Sequence, residues 1–219
     1  MITCNTQSLS RVSIFGSVLF ILLLVLMHLI KPEIDPDWQP ISEYALGRNG
    51  WMMRLAFFSM MMATGMATFV SLKFYKKIPG RIGTVLLAIS CIGFLLAGVF
   101  NTDPSTTSNE NMTTVGTLHS VGAGFSGMII FASLFIVWQF YKDPIYREVR
   151  RPLAYATIVL WISEIMLIIS MVIYLPKNGG NLGPETIVGW QGRFMVICAA
   201  IWLIVFLKQT MKIEEYGKP

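Results

Sequence analysis

Charge is what this chain most lacks. Asp, Glu, Lys and Arg make up only 13% of its 219 residues, against about 25% in a soluble globular chain. A soluble domain of this size would have too few charges to cover its surface. With 54% hydrophobic residues and a mean hydropathy of +0.62, the surplus apolar area needs lipid. Cysteine is nearly as scarce. There are three, at Cys4, Cys91 and Cys198. They give no even set for a disulfide framework and no metal-ligand spacing. Cys91 and Cys198 fall in apolar runs and read as small packing residues. Histidine is limited to His28 and His119. No Walker A loop, His-Glu-x-x-His, Gly-x-Ser-x-Gly or Cys-x-x-Cys is present, so several common chemistries lack their marks. No internal repeat links the first half to the second, which leaves an inverted-repeat transporter unsupported. The net charge of +5 does not indicate nucleic-acid binding, because the Lys and Arg residues lie between apolar runs, where they set orientation.

Six apolar runs remain: Val12–Ile30, Leu55–Leu72, Ile82–Phe100, Val115–Phe140, Pro152–Tyr174 and Ile187–Leu207. A spanning helix takes about 20 apolar residues, and backbone in lipid must bond within its own segment. The sequence therefore predicts an all-α polytopic bundle, one six-helix domain. Its helices are expected near 12–30, 52–72, 82–100, 115–140, 152–175 and 187–207. The first run is longer than a signal-peptide core and no small-x-small cleavage site follows it, so it reads as a helix.

Loop charges orient the bundle. One set of ends carries Arg11, Lys73, Lys76, Lys77, Arg81, Lys142, Arg147, Arg150, Arg151, Lys208, Lys212 and Lys218. The other carries only Lys31, Arg48, Arg54, Lys177 and Arg193. The richer side is expected to be cytoplasmic, with both termini there and the protein in the plasma (inner) membrane. Trp51 and Trp190 at outer ends and Trp138 at an inner end read as interfacial belt residues. Small residues on the fourth helix (Gly116, Ser120, Gly122, Ala123, Gly124, Gly127) suggest close packing at the bundle centre, and Ala63 and Ala67 suggest a close helix contact on the second.

The outward loops carry the unusual residues. The first reads Ile41-Ser42-Glu43-Tyr44-Ala45-Leu46-Gly47-Arg48-Asn49-Gly50. Turn chemistry accounts for Ser42, Gly47, Asn49 and Gly50 but not for Glu43, Tyr44 and Arg48. Asp103 sits where the third helix leaves the membrane, and His119 about one turn into the fourth. Gln191 and Arg193 open the last helix. The uncharged run after Arg193, Phe194–Leu207, is too short to span, so Arg193 lies below the membrane boundary, where it must snorkel or pair. Glu43 and Asp103 are its natural partners. Glu164 stands apart near the middle of the fifth run, a functional candidate by position.

Three motifs resemble a known family of bacterial and archaeal membrane proteins, the domain of unknown function 998 family. They are Ile41-Ser42-Glu43-Tyr44, Phe100-Asn101-Thr102-Asp103-Pro104 and Leu118-His119-Ser120-Val121-Gly122-Ala123, with Gln191 and Arg193 before the last helix. The likeness spans roughly residues 12–207. This chain departs from it at Asn101-Thr102, where Pro-Cys is frequent, and in the Gly192 between Gln191 and Arg193. The resemblance implies a shared site at Glu43, Asp103 and His119 but no established activity.

Three functional readings follow. One is binding or transport of a small molecule or lipid at an outward-facing polar site formed by Ser42, Tyr44, Arg48, Gln191 and Arg193, with Glu164 as a proton relay. The second is a hydrolase or transferase acting on a lipid or lipid-linked substrate, with Glu43, Asp103 and His119 as acid, base or metal ligands. The third and least supported is a haem held by His28 and His119. The bilayer is the expected partner, with a lipid or small molecule as ligand, and no cofactor is specified.

Overall fold

The computed structural model describes residues 5–216, and the elements among them are all helical. Cys4 and Lys218 lie outside that range. Seven α-helices form in chain order: α1 Thr6–Ile30, α2 Trp51–Phe74, α3 Ile78–Val99, α4 Thr114–Ser126, α5 Met128–Lys142, α6 Arg150–Tyr174 and α7 Gly189–Tyr216. Helices α4 and α5 are two halves of one span, so six helices are long and apolar enough to cross a membrane. The chain is a multi-pass integral membrane protein. An even number of spans puts Thr6 and Tyr216 at one end with the loops that follow α2 and α5, here the basic end. Residues 31–50, 100–113 and 175–188 share the other, here the site end.

Helix α1 starts earlier than its apolar run because the Asn5 side chain accepts from Gln7 N–H at 3.0 Å, capping the first turn. Its small residues Ser10, Ser13, Gly16 and Ser17 are buried. A Cβ on Gly16 would lie 2.6 Å from the Ser59 carbonyl oxygen, and Ser13 Oγ donates to Ala63 O at 2.6 Å. The small residues expected on α2 thus do bring α1 and α2 close.

The helices pack in a ring: α1 packs on α2, α2 on α3, α3 on α4 and α5, α5 on α6, α6 on α7, and α7 on α1. The fourth span is not central, contrary to the sequence reading. Helix α4 packs on α3 through Gly93 and Gly122, where a Cβ on either residue would run into backbone of the other helix. Ser120, Ala123 and Gly124 face away from that contact and are exposed. The α4–α5 span bends at Gly127. Ile130 N–H bonds to Gly127 O rather than to Ser126 O, and the freed Ser126 carbonyl accepts from Ser90 Oγ at 3.1 Å. Below the bend, α5 closes the ring against α6. Above it, α4 does not pack comparably on α6 or α7, and a gap opens.

The basic end is filled by rings. Tyr146 stacks on Phe140 with centroids 4.6 Å apart, and Tyr75 lies against Phe140, Tyr146 and Phe206 at 5.8–5.9 Å. Tyr75 Oη and Thr210 Oγ1 share a hydrogen bond of 2.8 Å. Burial pushes both phenols up. Tyr146 reaches about 12, with help from the Asp143 charge, and Tyr75 lies well above its ordinary value despite the Thr210 bond.

Candidate functional site

Helix α7 begins under the first loop. A Cβ on Gly189 would fall 2.3 Å from the Pro36 carbonyl oxygen, so only glycine lets the loop come this close. Gly189 N–H donates to Asp37 O at 2.8 Å, and Trp190 Nε1 donates to Asp37 Oδ1 at 2.8 Å. One turn later the Arg193 side chain runs inward and is only 2% exposed. It does not snorkel. It does not pair with Glu43 or Asp103 either, which corrects the sequence reading. Nε donates to His28 Nε2 at 2.9 Å. Nη1 donates to the carbonyls of Gln39 (2.7 Å), Gly189 (3.1 Å) and Pro36 (3.3 Å), and Nη2 to Tyr44 Oη at 3.2 Å. The guanidinium also lies 5.4 Å from the Tyr44 ring centre and 6.0 Å from that of Trp190. Loop carbonyls exceed loop carboxylates within reach of this position, so the loop is drawn in as a set of dipoles.

His28 is committed to this network. Its Nδ1 lies 2.8 Å from Leu24 O, so Nδ1 carries the proton and Nε2 accepts from Arg193. The ring stacks on Trp190 and tilts against Tyr44. Nε2 is therefore engaged with Arg193 and not free for iron, which counts against the two-histidine haem. The buried Lys31 follows α1, where a cation suits the carbonyl end of a helix. Its Nζ donates to Leu46 O and, at 3.5 Å, to Tyr44 O. Arg54 does the same for α3, donating from Nε to Gly98 O at 3.0 Å. The sequence reading passed over Lys31, Gln39 and Arg54 as site residues. Lys31 next to His28 at the end of an apolar run was the one available signal.

Glu43 and Asp103 hold loops. Glu43 is 4% exposed; Oε2 accepts from Gln39 Nε2, and Oε1 accepts from Ser105 N–H at 2.7 Å. It thereby ties the first loop to the one after α3. Asp103 accepts from Thr113 N–H (2.7 Å) and Thr113 Oγ1 (2.9 Å), fastening the start of α4. A Cβ on Gly116 would fall 2.1 Å from Asp103 Oδ2, so that approach also needs glycine. His119 is 3% exposed. Its Nδ1 donates to Phe100 O at 2.9 Å, and its ring meets Phe57 edge-on. The described residues hold no group of three His, Cys, Asp or Glu side chains close enough for a metal ion, so Glu43, Asp103 and His119 do not assemble as ligands.

The remaining candidates divide. Tyr44 is fully buried in the Arg193 network. Ser42 lines the cavity described below. Arg48 is exposed between Gly47 (φ 64°) and Asn49 (φ 62°), whose left-handed backbone makes the expected turn and carries Arg48 away from the cluster. Gln191 Oε1 is buried without a hydrogen-bond partner. Glu164 lies near the middle of α6, about half a span from the loops, its Oε2 also buried and unpartnered. It shares a helix face with Leu167 and Met171 at i+3 and i+7.

These elements enclose a cavity of about 540 Å³ in the gap between α4 and the α6–α7 pair. Its mouth is polar, with Ser42, Asp103, His119 and Arg193. Its depth is apolar, with Phe20, Phe94, Leu167, Met195 and Val196. No curated protein and no solved structure matches the chain. A family match covers residues 14–208, taking in α2 to α6, most of α1 and α7, the first loop, the Asp103–His119 hairpin and Arg193. The chain thus belongs to the family described as Protein of unknown function (DUF998).

Proposed function

We propose that this protein binds an amphipathic small molecule or lipid in the cavity beside α4, drawn from the outer leaflet of the plasma membrane. One observation carries the reading: a cavity of about 540 Å³ runs from a polar mouth to an apolar depth and lies where the ring of helices is open. That volume is in the usual range for small-molecule sites. A polar-to-apolar gradient suits a molecule with a headgroup and a tail. The gap between α4 and the α6–α7 pair gives such a molecule a path from the bilayer. The excess of Lys and Arg at the basic end supports placing the mouth outside.

The hydrolase or transferase reading has less support. Glu43 and Asp103 have both carboxylate oxygens in bonds that hold loops, and neither is hydrogen-bonded to His119. A base at His119 would lack an orienting carboxylate.

The test is lipid extraction and native mass spectrometry of the purified protein, wild type against Ala123→Trp. Ala123 lines the cavity and is exposed, so the indole fills space rather than displacing a packed neighbour. Wild type is expected to retain a tightly held amphiphile that the variant lacks. Equal retention by both would sink the proposal.

A further inference from the structure

Buried charge at the site end does not balance. Arg193 and Lys31 are 2% and 5% exposed, and among the described residues of the site end Glu43 is the only Asp or Glu as buried as they are. Glu43 accepts from Gln39 and a backbone amide, not from a cation. Lys31 has a distant and mostly exposed partner in Glu33 at 3.9 Å, and Arg193 has no ion pair among the described residues. Every acceptor around Arg193 is neutral. Neutral acceptors satisfy hydrogen bonds but leave the buried charge uncompensated.

Position within the helices sharpens the point. Lys31 follows the carbonyl end of α1, and Arg54, in the first turn of α2, reaches with its side chain a carbonyl at the end of α3, where a cation is favoured. Arg193 sits near the amide end of α7, where the helix adds positive polarity. Asp103 also lines the cavity, but both its oxygens are bonded to Thr113 at the amide end of α4. Among the buried groups the positive excess therefore falls on the α7 side of the mouth, where Asp37 is exposed and bonded to Trp190 Nε1. There is room beside it: a Cβ on Gly192, which lines the cavity, would meet nothing within 4 Å. Nη2 of Arg193 has two hydrogens and one acceptor, Tyr44 Oη.

Resting on the cavity reading above, we propose that the ligand is a lipid with a net-anionic phosphate headgroup. The headgroup lies against Arg193 and Gly192, and the hydrocarbon extends toward Phe94 and Met195. The guanidinium supplies the charge-assisted bonds, and the ligand supplies the compensating charge.

Delipidated full-length protein in a nonionic detergent is titrated with three probes and read by native mass spectrometry. The probes are dioleoylphosphatidylglycerol, dioleoylphosphatidylcholine with the same chains, and inorganic phosphate alone. The anionic lipid is expected to bind at least about tenfold tighter than the zwitterionic one, as one charged hydrogen bond warrants. Gly192→Leu, which fills the headgroup space and leaves the Arg193 partners in place, is expected to abolish that preference. Equal affinity for the two lipids, both displaced by Ala123→Trp, overturns the anionic headgroup and leaves the cavity reading standing. Inorganic phosphate binding as tightly as the anionic lipid overturns the lipid source. Binding of neither lipid, or binding indifferent to Ala123→Trp, overturns both proposals.

Discussion

At the basic end, Tyr75, Phe140, Tyr146 and Phe206 pack ring against ring, and charges such as Lys77 stay at the surface, paired with Asp143 at 3.0 Å. At the site end, Arg193, Lys31 and Glu43 are buried and bond to loop backbone, and a cavity lies beside them. The bend at Gly127 separates the two regimes, because α5 reaches α6 and α4 does not. A bundle that must leave space cannot hold that end by side-chain packing alone. Here it is held by hydrogen bonds from buried side chains to carbonyls and amides, which fix loops while leaving the volume between helices open.

If that contrast is right, equal truncations should differ most between the ends. Phe140→Ala removes a ring with close neighbours on several sides and is expected to cost about 2–4 kcal/mol, mainly as a cavity term, since lipid already offers an apolar alternative. Met195→Ala, on a wall already missing contacts on one side, should cost about 1 kcal/mol or less. Thermal or denaturant unfolding in detergent measures both. Equal losses would erase the contrast.

Alkali probes the basic end alone. Tyr146 and Tyr75 hold their protons above the ordinary phenol value near 10. Their contribution to stability is complete below about pH 10 and is lost as pH rises toward about 12. Tyr146→Phe is expected to flatten part of that fall in unfolding temperature, and Glu43→Gln at the site end should leave it unchanged. The smallest effects distinguish the lysines. Lys31→Met strands the Tyr44 and Leu46 carbonyls and should cost about 1–2 kcal/mol. Lys77→Ala, in a half-exposed pair, should change stability by under about 0.5 kcal/mol.

Much of the fold was legible residue by residue. Six apolar runs gave six spans, and the short uncharged stretch after Arg193 placed that residue inside the helix that Gly189 begins. Gly47 and Asn49 announced their turn. The small residues of the fourth span misled, because smallness signals either a close helix contact or empty space. Gly122 meets α3, but Gly124 meets nothing. The site was legible as a set of residues and not as an arrangement. Carboxylates were the natural partners for Arg193, yet the structure offers backbone carbonyls and His28, which carry no pattern in the sequence.

The sequence by itself determined that this chain lives in a bilayer, how many times it crosses, and which loops hold its polar residues. Lipid demands long apolar runs and self-satisfied backbone, and both are local properties. Only the tertiary structure decided that Arg193 is buried among neutral dipoles, that Glu43 and Asp103 hold loops, and that α4 stands clear of α6 and α7 to leave a cavity. Those outcomes depend on contacts between residues as far apart as His28 and Arg193, and on a bend whose effect appears only once the ring of helices closes.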